Sequence, residues 1–492
     1  MVGNLALTNE VEANEDIDIQ EEHLKWCTVS LSEMISRGKR LDATVFDVKA
    51  KHAREIVEKS KWEKVYLAGE DNIVEKAFYP GRFKRIYCER GEGIPFYLPS
   101  QMTDVYPKPE KYISLNTKCN MDELKMKYGD ILLTRSGTVG NLTVVTKTLE
   151  GKVFSDDVIR ITLKDEKDIG YLYAYLKSDV GNSILQTNRY GSVVTHLEPE
   201  HLEEVVIPNA DRSIKDHINE LIMRSFSLRD ESNELLDKAK ELLVSALHLP
   251  DVSEFVGEKV DTDSSVNNFQ VSLSQLQNRV DASFHIPSVN AIEEHLRKYA
   301  QEIIPLGDKR LSKSVLLPGR FKRVYVEEGQ GRVFFGGKQI YELDPSNKKY
   351  LSSSQHSERM KKELEILENT ILITRSGTIG KVTIAPKHWE HWIINEHVIR
   401  VFPKDDQIAG YLYTFLSSDY GYQLITRFTY GSVVDEIDAN HVSRIPIPIL
   451  KDSETQNEIN RLTLLANEKR YLAYKMEMKA MKELDEKVLF CN

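Results

Sequence analysis

Cysteine is scarce in this 492-residue chain: Cys27, Cys88, Cys119 and Cys491 lie far apart, with no Cys-x-x-Cys pair. That pattern argues against a structural zinc site or a disulfide framework and points to a reducing cytoplasm. No run of 18 apolar residues occurs, so no membrane partner is expected. The N-terminus lacks the basic-then-apolar order of a signal peptide. There is no dinucleotide or P-loop fingerprint, no His-Glu-x-x-His, and no catalytic Cys/His or Ser/His arrangement that stands out. The chain has no Pro-Pro at all, which excludes the Asn/Asp-Pro-Pro-aromatic signature of an amino-methyltransferase. The expectation is a protein with no catalytic residues and no cofactor of its own.

Positive charge is also in deficit, with a formal net charge of −10. Part of the deficit is local. Residues 1–22 carry seven acids and no Lys or Arg, the composition of an acidic disordered tail. A local basic face therefore matters more than the sum.

What the chain does have is itself, twice. Ile131-Leu-Leu-Thr-Arg-Ser-Gly-Thr-Val-Gly140 returns as Ile371-Leu-Ile-Thr-Arg-Ser-Gly-Thr-Ile-Gly380, and Tyr190-Gly-Ser-Val-Val194 returns unchanged at 430–434. Val158-Ile-Arg160 and Gly170-Tyr-Leu-Tyr173 recur at 398–400 and 410–413. Pro80-Gly-Arg-Phe-Lys-Arg85 recurs at 318–323. Each repeat mixes short β-branched runs with a stretch of helical periodicity (169–186 in the first), which predicts an α/β (α+β) module. After each repeat comes a long helix. In 214–246, Ile214, Ile218, Leu221, Ser225, Leu228, Ser232, Leu235, Ala239, Leu242 and Ala246 alternate in steps of four and three, a coiled-coil pattern weakened by two serines. In the second copy, over 456–490, Ile459, Leu462, Met476 and Ala480 match, and Lys469 stands for Leu228. Two such helices in one chain would pair with each other.

The glycine loops offer backbone N–H groups, the hydroxyls of Ser136, Thr138, Ser376 and Thr378, and the guanidinium groups of Arg135 and Arg375, all suited to phosphate. The same residues also suit a plain tight turn between core strands. Arg82, Lys84 and Arg85, repeated as Arg320, Lys322 and Arg323, flank Phe on an expected strand. They form either a solvated face or a basic, aromatic-bearing groove for nucleic acid. Arg189-Tyr190 and Tyr430 join the candidates, although Arg189 has no counterpart before Tyr430. The Gly-Tyr-Leu-Tyr helices are expected to be core. His201 and His441 recur without companion ligands, which suits a cap or a packing role. On the long helices, Leu221, Leu228, Leu235, Leu242, Leu462 and Met476 are candidates for a docking surface.

The order module, helix, module, helix, with these matched glycine loops, resembles the specificity (S) subunit of type I restriction–modification systems over about 24–490. The resemblance implies two target recognition domains, at 23–208 and 269–450. Spacer helices at 209–250 and 451–490 would pair as an antiparallel coiled coil, with a polar linker at 251–268. It implies that each domain reads one half of a split site in double-stranded DNA, with the differing stretches 88–128 and 326–368 setting the bases. It further implies two DNA adenine methyltransferase subunits and a motor nuclease subunit as partners, which would bring S-adenosylmethionine, ATP and Mg. The alternative left open is a duplicated protein-interaction scaffold with no DNA role.

Overall fold

The computed structural model describes residues 28–36, 46–69, 72–187, 195–256, 269–276, 279–345, 348–431 and 434–491. The acidic residues 1–22, the linker residues 257–268, and the site candidates Arg189 and Tyr190 lie outside them.

The first module contains β1 (Glu63–Tyr66), β2 (Val74–Phe78), β3 (Tyr87–Cys88), β4 (Gly93–Tyr97), β5 (Lys111–Ser114), β6 (Ile131–Thr134), β7 (Leu142–Val144), β8 (Val153–Phe154), β9 (Val158–Leu163) and β10 (Val206–Asn209). These make a sheet of order β2-β9-β6-β7, a second of order β3-β5-β4-β8, and the pair β1-β10. All neighbours are antiparallel except β4 and β8. The second module repeats this order strand for strand. Its strands are β11 (Glu302–Pro305), β12 (Ser312–Leu316), β13 (Tyr325–Val326), β14 (Gly331–Phe335), β15 (Lys349–Ser352), β16 (Ile371–Thr374), β17 (Val382–Ile384), β18 (Ile393–Ile394), β19 (Val398–Pro403) and β20 (Pro446–Ile449). The repeat in the sequence is thus a repeat of topology.

Two details differ from the pattern reading. The helical stretch 169–186 is two helices, Ile169–Lys177 and Asp179–Thr187, broken at Ser178, whose hydroxyl accepts from the Gly181 N–H at 3.0 Å. The basic segment 80–85 is not a strand. It is the extended crossing from β2 in one sheet to β3 in the other, and no neighbouring strand pairs with it.

The long helices are Arg212–Ala246 and Ser453–Leu484. They run antiparallel, since His217 meets Glu483, Ser225 meets Ala473 and Glu231 meets Lys469. At ~1.5 Å per residue each spans about 50 Å. Each helix serves both modules. Ile218, Leu221, Ile222 and Phe226 of the first helix and Ala480 and Leu484 of the second complete the first module's core, with Val488 and Leu489 beyond. Leu236, Ala239 and Leu243, with Ile459, Leu462 and Ala466, complete the second module's core.

The docking candidates are therefore used within the chain. Leu221, Leu228 and Leu462 are buried, and Leu235, Leu242 and Met476 are partly buried against the cores.

The Gly-Tyr-Leu-Tyr helices owe their glycines to this docking. Asn219 Oδ1 accepts from the Gly170 N–H at 2.7 Å, and Asn460 Oδ1 from the Gly410 N–H at 2.8 Å. A Cβ on Gly410 would lie 2.4 Å from the Asn460 carbonyl oxygen, and one on Gly170 would lie 2.8 Å from the Asn219 Cα. Only glycine lets these helices approach so closely. Among the described residues no helix is long and apolar enough to cross a membrane, and no group of His, Cys, Asp and Glu could hold a metal ion.

Candidate nucleic-acid interface

The glycine loop joins β6 to β7, and its conformation follows from its residues. Gly137 and Gly140 adopt φ of 74° and 97°, and Gly377 and Gly380 adopt 77° and 81°, where a side chain is strained. The first Thr of each motif closes the hairpin. Thr134 Oγ1 donates to the Thr138 carbonyl at 2.6 Å and accepts from Asn141 N–H at 3.0 Å, and Thr374 repeats both bonds.

The Arg of the motif points inward. Arg135 is 5% exposed, 2.5 Å from Glu198, and lies over the Tyr79 ring at 4.1 Å. Arg375 pairs with Glu436 and donates to the Ile437 carbonyl at 3.1 Å. Both guanidinium groups fasten the loop to the segment at 195–198 or 435–438. Ser136 sits in a β-bridge with His196, and Ser376 Oγ is 2.7 Å from His397 Nδ1. Thr138 and Thr378 are exposed at the tips.

The basic crossing segment runs beside this loop. Arg85 lies 2.5 Å from Asp156 and 3.7 Å from Asp157, and Arg135 lies 3.6 Å from the same Asp157. In the second module Arg323 pairs with Glu396 at 2.6 Å, while Arg320 and Arg375 share Glu436. Phe83 packs edge-on against Phe96 at 6.4 Å, so the aromatic residue anchors the segment and its neighbours point out. Arg82, Lys84, Arg320 and Lys322 are exposed. Arg82, Lys84 and Lys322 make no ion pair among the described residues. The repeated cluster thus divides into structural cations (Arg85, Arg135, Arg323, Arg375) and outward ones. Tyr430 is 39% exposed, and its backbone bridges Glu436.

Sequence reading missed Arg160 and Arg400. They are 1% and 0% exposed, and they tie the loops that carry Asp156 and Glu396 through the carbonyls of Val158 (2.8 Å) and Ile394. Burial pushes their pKa values down to about 10 and about 9. The repeated Val-Ile-Arg was the available signal, because an Arg inside an apolar strand needs acceptors. His201 is a cap, its Nδ1 accepting from Glu198 N–H at 3.1 Å, and His441 stacks on Phe428.

Residues 333–467 match the family described as "Type I restriction modification DNA specificity domain", which bears out the resemblance for the second module. No curated protein matches the chain in sequence. Among solved structures, the chain is similar to the S subunit of a type I restriction-modification system from M. genitalium. The identity is 13%, 87% of this chain and 96% of that chain are covered, and the TM-score is 0.33. The HsdS subunit from Thermoanaerobacter tengcongensis is similar at 13% identity, covering 86% and 95%, with a TM-score of 0.26. A type I R-M structure concerned with complex assembly and conformational transition is similar at 13% identity, covering 86% and 96%, with a TM-score of 0.27.

Proposed function

We propose that the chain is a non-catalytic DNA specificity subunit of a restriction–modification complex, acting in the cytoplasm. Each module would read one half of a bipartite site in double-stranded DNA. What carries this reading is one repeated geometry. Outward Arg82 and Lys84, and again Arg320 and Lys322, stand on a segment braced to a glycine-loop hairpin, once in each of two modules on one antiparallel helix pair. The description of the family matched at 333–467 supports the same reading. The exposed cations and the Thr138 and Thr378 hydroxyls suit phosphate, which positions a protein on DNA, while the differing stretches 88–128 and 326–368 would specify bases. Tyr430 and, from the sequence, Arg189 and Tyr190 belong to the same proposed interface. Methylation and cleavage would fall to partners, two adenine methyltransferase subunits and a motor nuclease, with S-adenosylmethionine, ATP and Mg held there.

The test is duplex binding across a range of salt. Changing Arg82, Lys84, Arg320 and Lys322 to Ala should weaken binding to all sequences and flatten the salt slope by about one unit per lost contact. Binding that ignores salt, or no duplex binding by the intact chain, would favour the protein-interaction scaffold instead.

A further inference from the structure

The two modules touch each other directly, through equivalent parts. Gln101 and Gln339 cap matching turns, their side-chain oxygens accepting from the N–H groups of Leu98 at 3.0 Å and Gly336 at 3.3 Å. Three residues beyond each Gln, Asp104 and Glu342 form an antiparallel β-bridge, and Val105 N–H donates to the Tyr341 carbonyl at 2.8 Å. Residues 238 apart in sequence thus meet at the approximate twofold axis of the molecule.

Beneath the bridge, Val105 and Leu343 pack with Leu228 and Ala473, one residue from each long helix. Both loops are also pinned to their surroundings. Asn233 Nδ2 donates to the Val105 carbonyl at 2.7 Å, and Trp389 Nε1 donates to the Leu343 carbonyl at 3.3 Å. Outside the bridge, Lys381 of the second module pairs with Glu110 of the first at 2.6 Å. Arg90 pairs with Asp419 at 2.9 Å, and Lys108 donates to the Ser417 carbonyl at 2.5 Å. Each module packs on both helices, a contact that leaves small rolling motions of one module against the other unopposed at the far side. A bridge across the axis removes that freedom.

We propose that this seam, centred on Asp104–Val105 and Glu342–Leu343, is a spacing element that fixes the separation and twist of the two modules. The unread gap of a bipartite DNA target is then set by the seam together with the long helices. The statement about the gap rests on the DNA reading above, whereas the statement about module separation does not.

The experiment uses the full chain with its native cysteines changed to Ser and spin labels at Glu75→Cys and Lys313→Cys, both exposed. Pulsed electron spin resonance should give a single narrow distance. Val105→Asp should abolish that narrow distance in protein whose circular dichroism is unchanged. Should that variant fail to fold, Lys381→Glu breaks the Glu110 pair, removes the ammonium from over the Tyr341 ring and adds a carboxylate beside Glu110, Asp104 and Glu342: the distance should broaden and then narrow again when Glu110→Lys is added. A distance that stays narrow in a folded Val105→Asp chain or in Lys381→Glu, or a charge swap without recovery, would overturn the seam as a positioning device. Selection from random duplex should yield one gap length for the parent and several for the loosened variants. One unchanged gap despite a broadened distance overturns the spacing role. A parent that selects no duplex overturns the DNA reading while the distances still judge the seam.

Discussion

Glu477 of the second long helix is 1% exposed and pairs with Lys177 of the first module. Arg229 of the first helix and the Tyr173 hydroxyl complete its shell. At the matching position of the first helix stands Leu236, equally buried. One half of the helix pair thus uses an aliphatic side chain where the other uses a charge network.

Removing that charge should be costly. Glu477→Gln leaves two cations facing a neutral amide and should destabilise the chain by about 3–5 kcal/mol, as for breaking one partner of a buried pair. Denaturant midpoints would measure it. Burial alone would raise the Glu477 pKa, but Lys177 and Arg229 outweigh it and hold the carboxyl below the usual range. The stability it contributes is therefore present above the unfolded pKa near ~4.3 and lost as pH falls through the folded value. The gap between parent and variant should narrow on acidification.

Gly410→Ala should cost about 1–3 kcal/mol, because the added methyl meets backbone that must move. Gly170→Ala should behave alike. Gly81→Ala is the control, since nothing lies within 4 Å of a Cβ there, and its midpoint should shift by less than about 0.5 kcal/mol.

Asp104 tests the seam by pH. Desolvation raises its pKa to about 8; Lys381 opposes this, and Glu342 and Glu110 add to it. Between the unfolded pKa and about 8 the folded chain holds a proton that the unfolded chain has released. The Asp104 contribution to stability therefore falls across that window as pH rises. Asp104→Asn should remove this slope, melting higher than the parent at pH 8 and converging with it towards pH 4. Parallel melting curves of parent and variant against pH would contradict the assignment.

Arg85 and Lys84 are neighbours with opposite expected phenotypes. Arg85→Ala unties Asp156 and Ser155 and should lower stability by about 1–3 kcal/mol. Lys84→Ala should leave thermal melting unchanged, while weakening duplex binding and flattening its salt slope.

Periodicity and repetition carried the architecture, because both are properties of neighbouring residues. The duplication, the alternation of modules with helices and the pairing of the helices were readable from spacing, whereas their antiparallel sense was implied only by the family resemblance. The finer register was not. The heptad pattern points to Leu235 and Leu242, yet Leu236 and Leu243 are the buried ones. A straight helix of 3.6 residues per turn drifts by ~20° per heptad, and the modules that cover it fix the final face. The basic segment read as a strand from its alternation, but strands need partners, and the crossing between sheets offers none. Within the candidate interface, composition singled out the right cluster and could not divide it. Whether an Arg faces solvent depends on Asp156, Asp157, Glu198, Glu396 and Glu436, which lie tens of residues or more away in sequence. The seam was invisible for the same reason, since 102–110 read as part of a variable loop.

Val488 and Leu489 sit in the first module's core, where the Ser60 hydroxyl donates to the Val488 carbonyl across 428 residues of chain. Trp62 Nε1 similarly reaches the Lys487 carbonyl at 3.1 Å. On the ribosome, then, the half of the protein made first is finished last. Its apolar face waits for a segment that emerges only after the second half has been translated, so a product that ends between Ala466 and Ala480 exposes the older module rather than the newer.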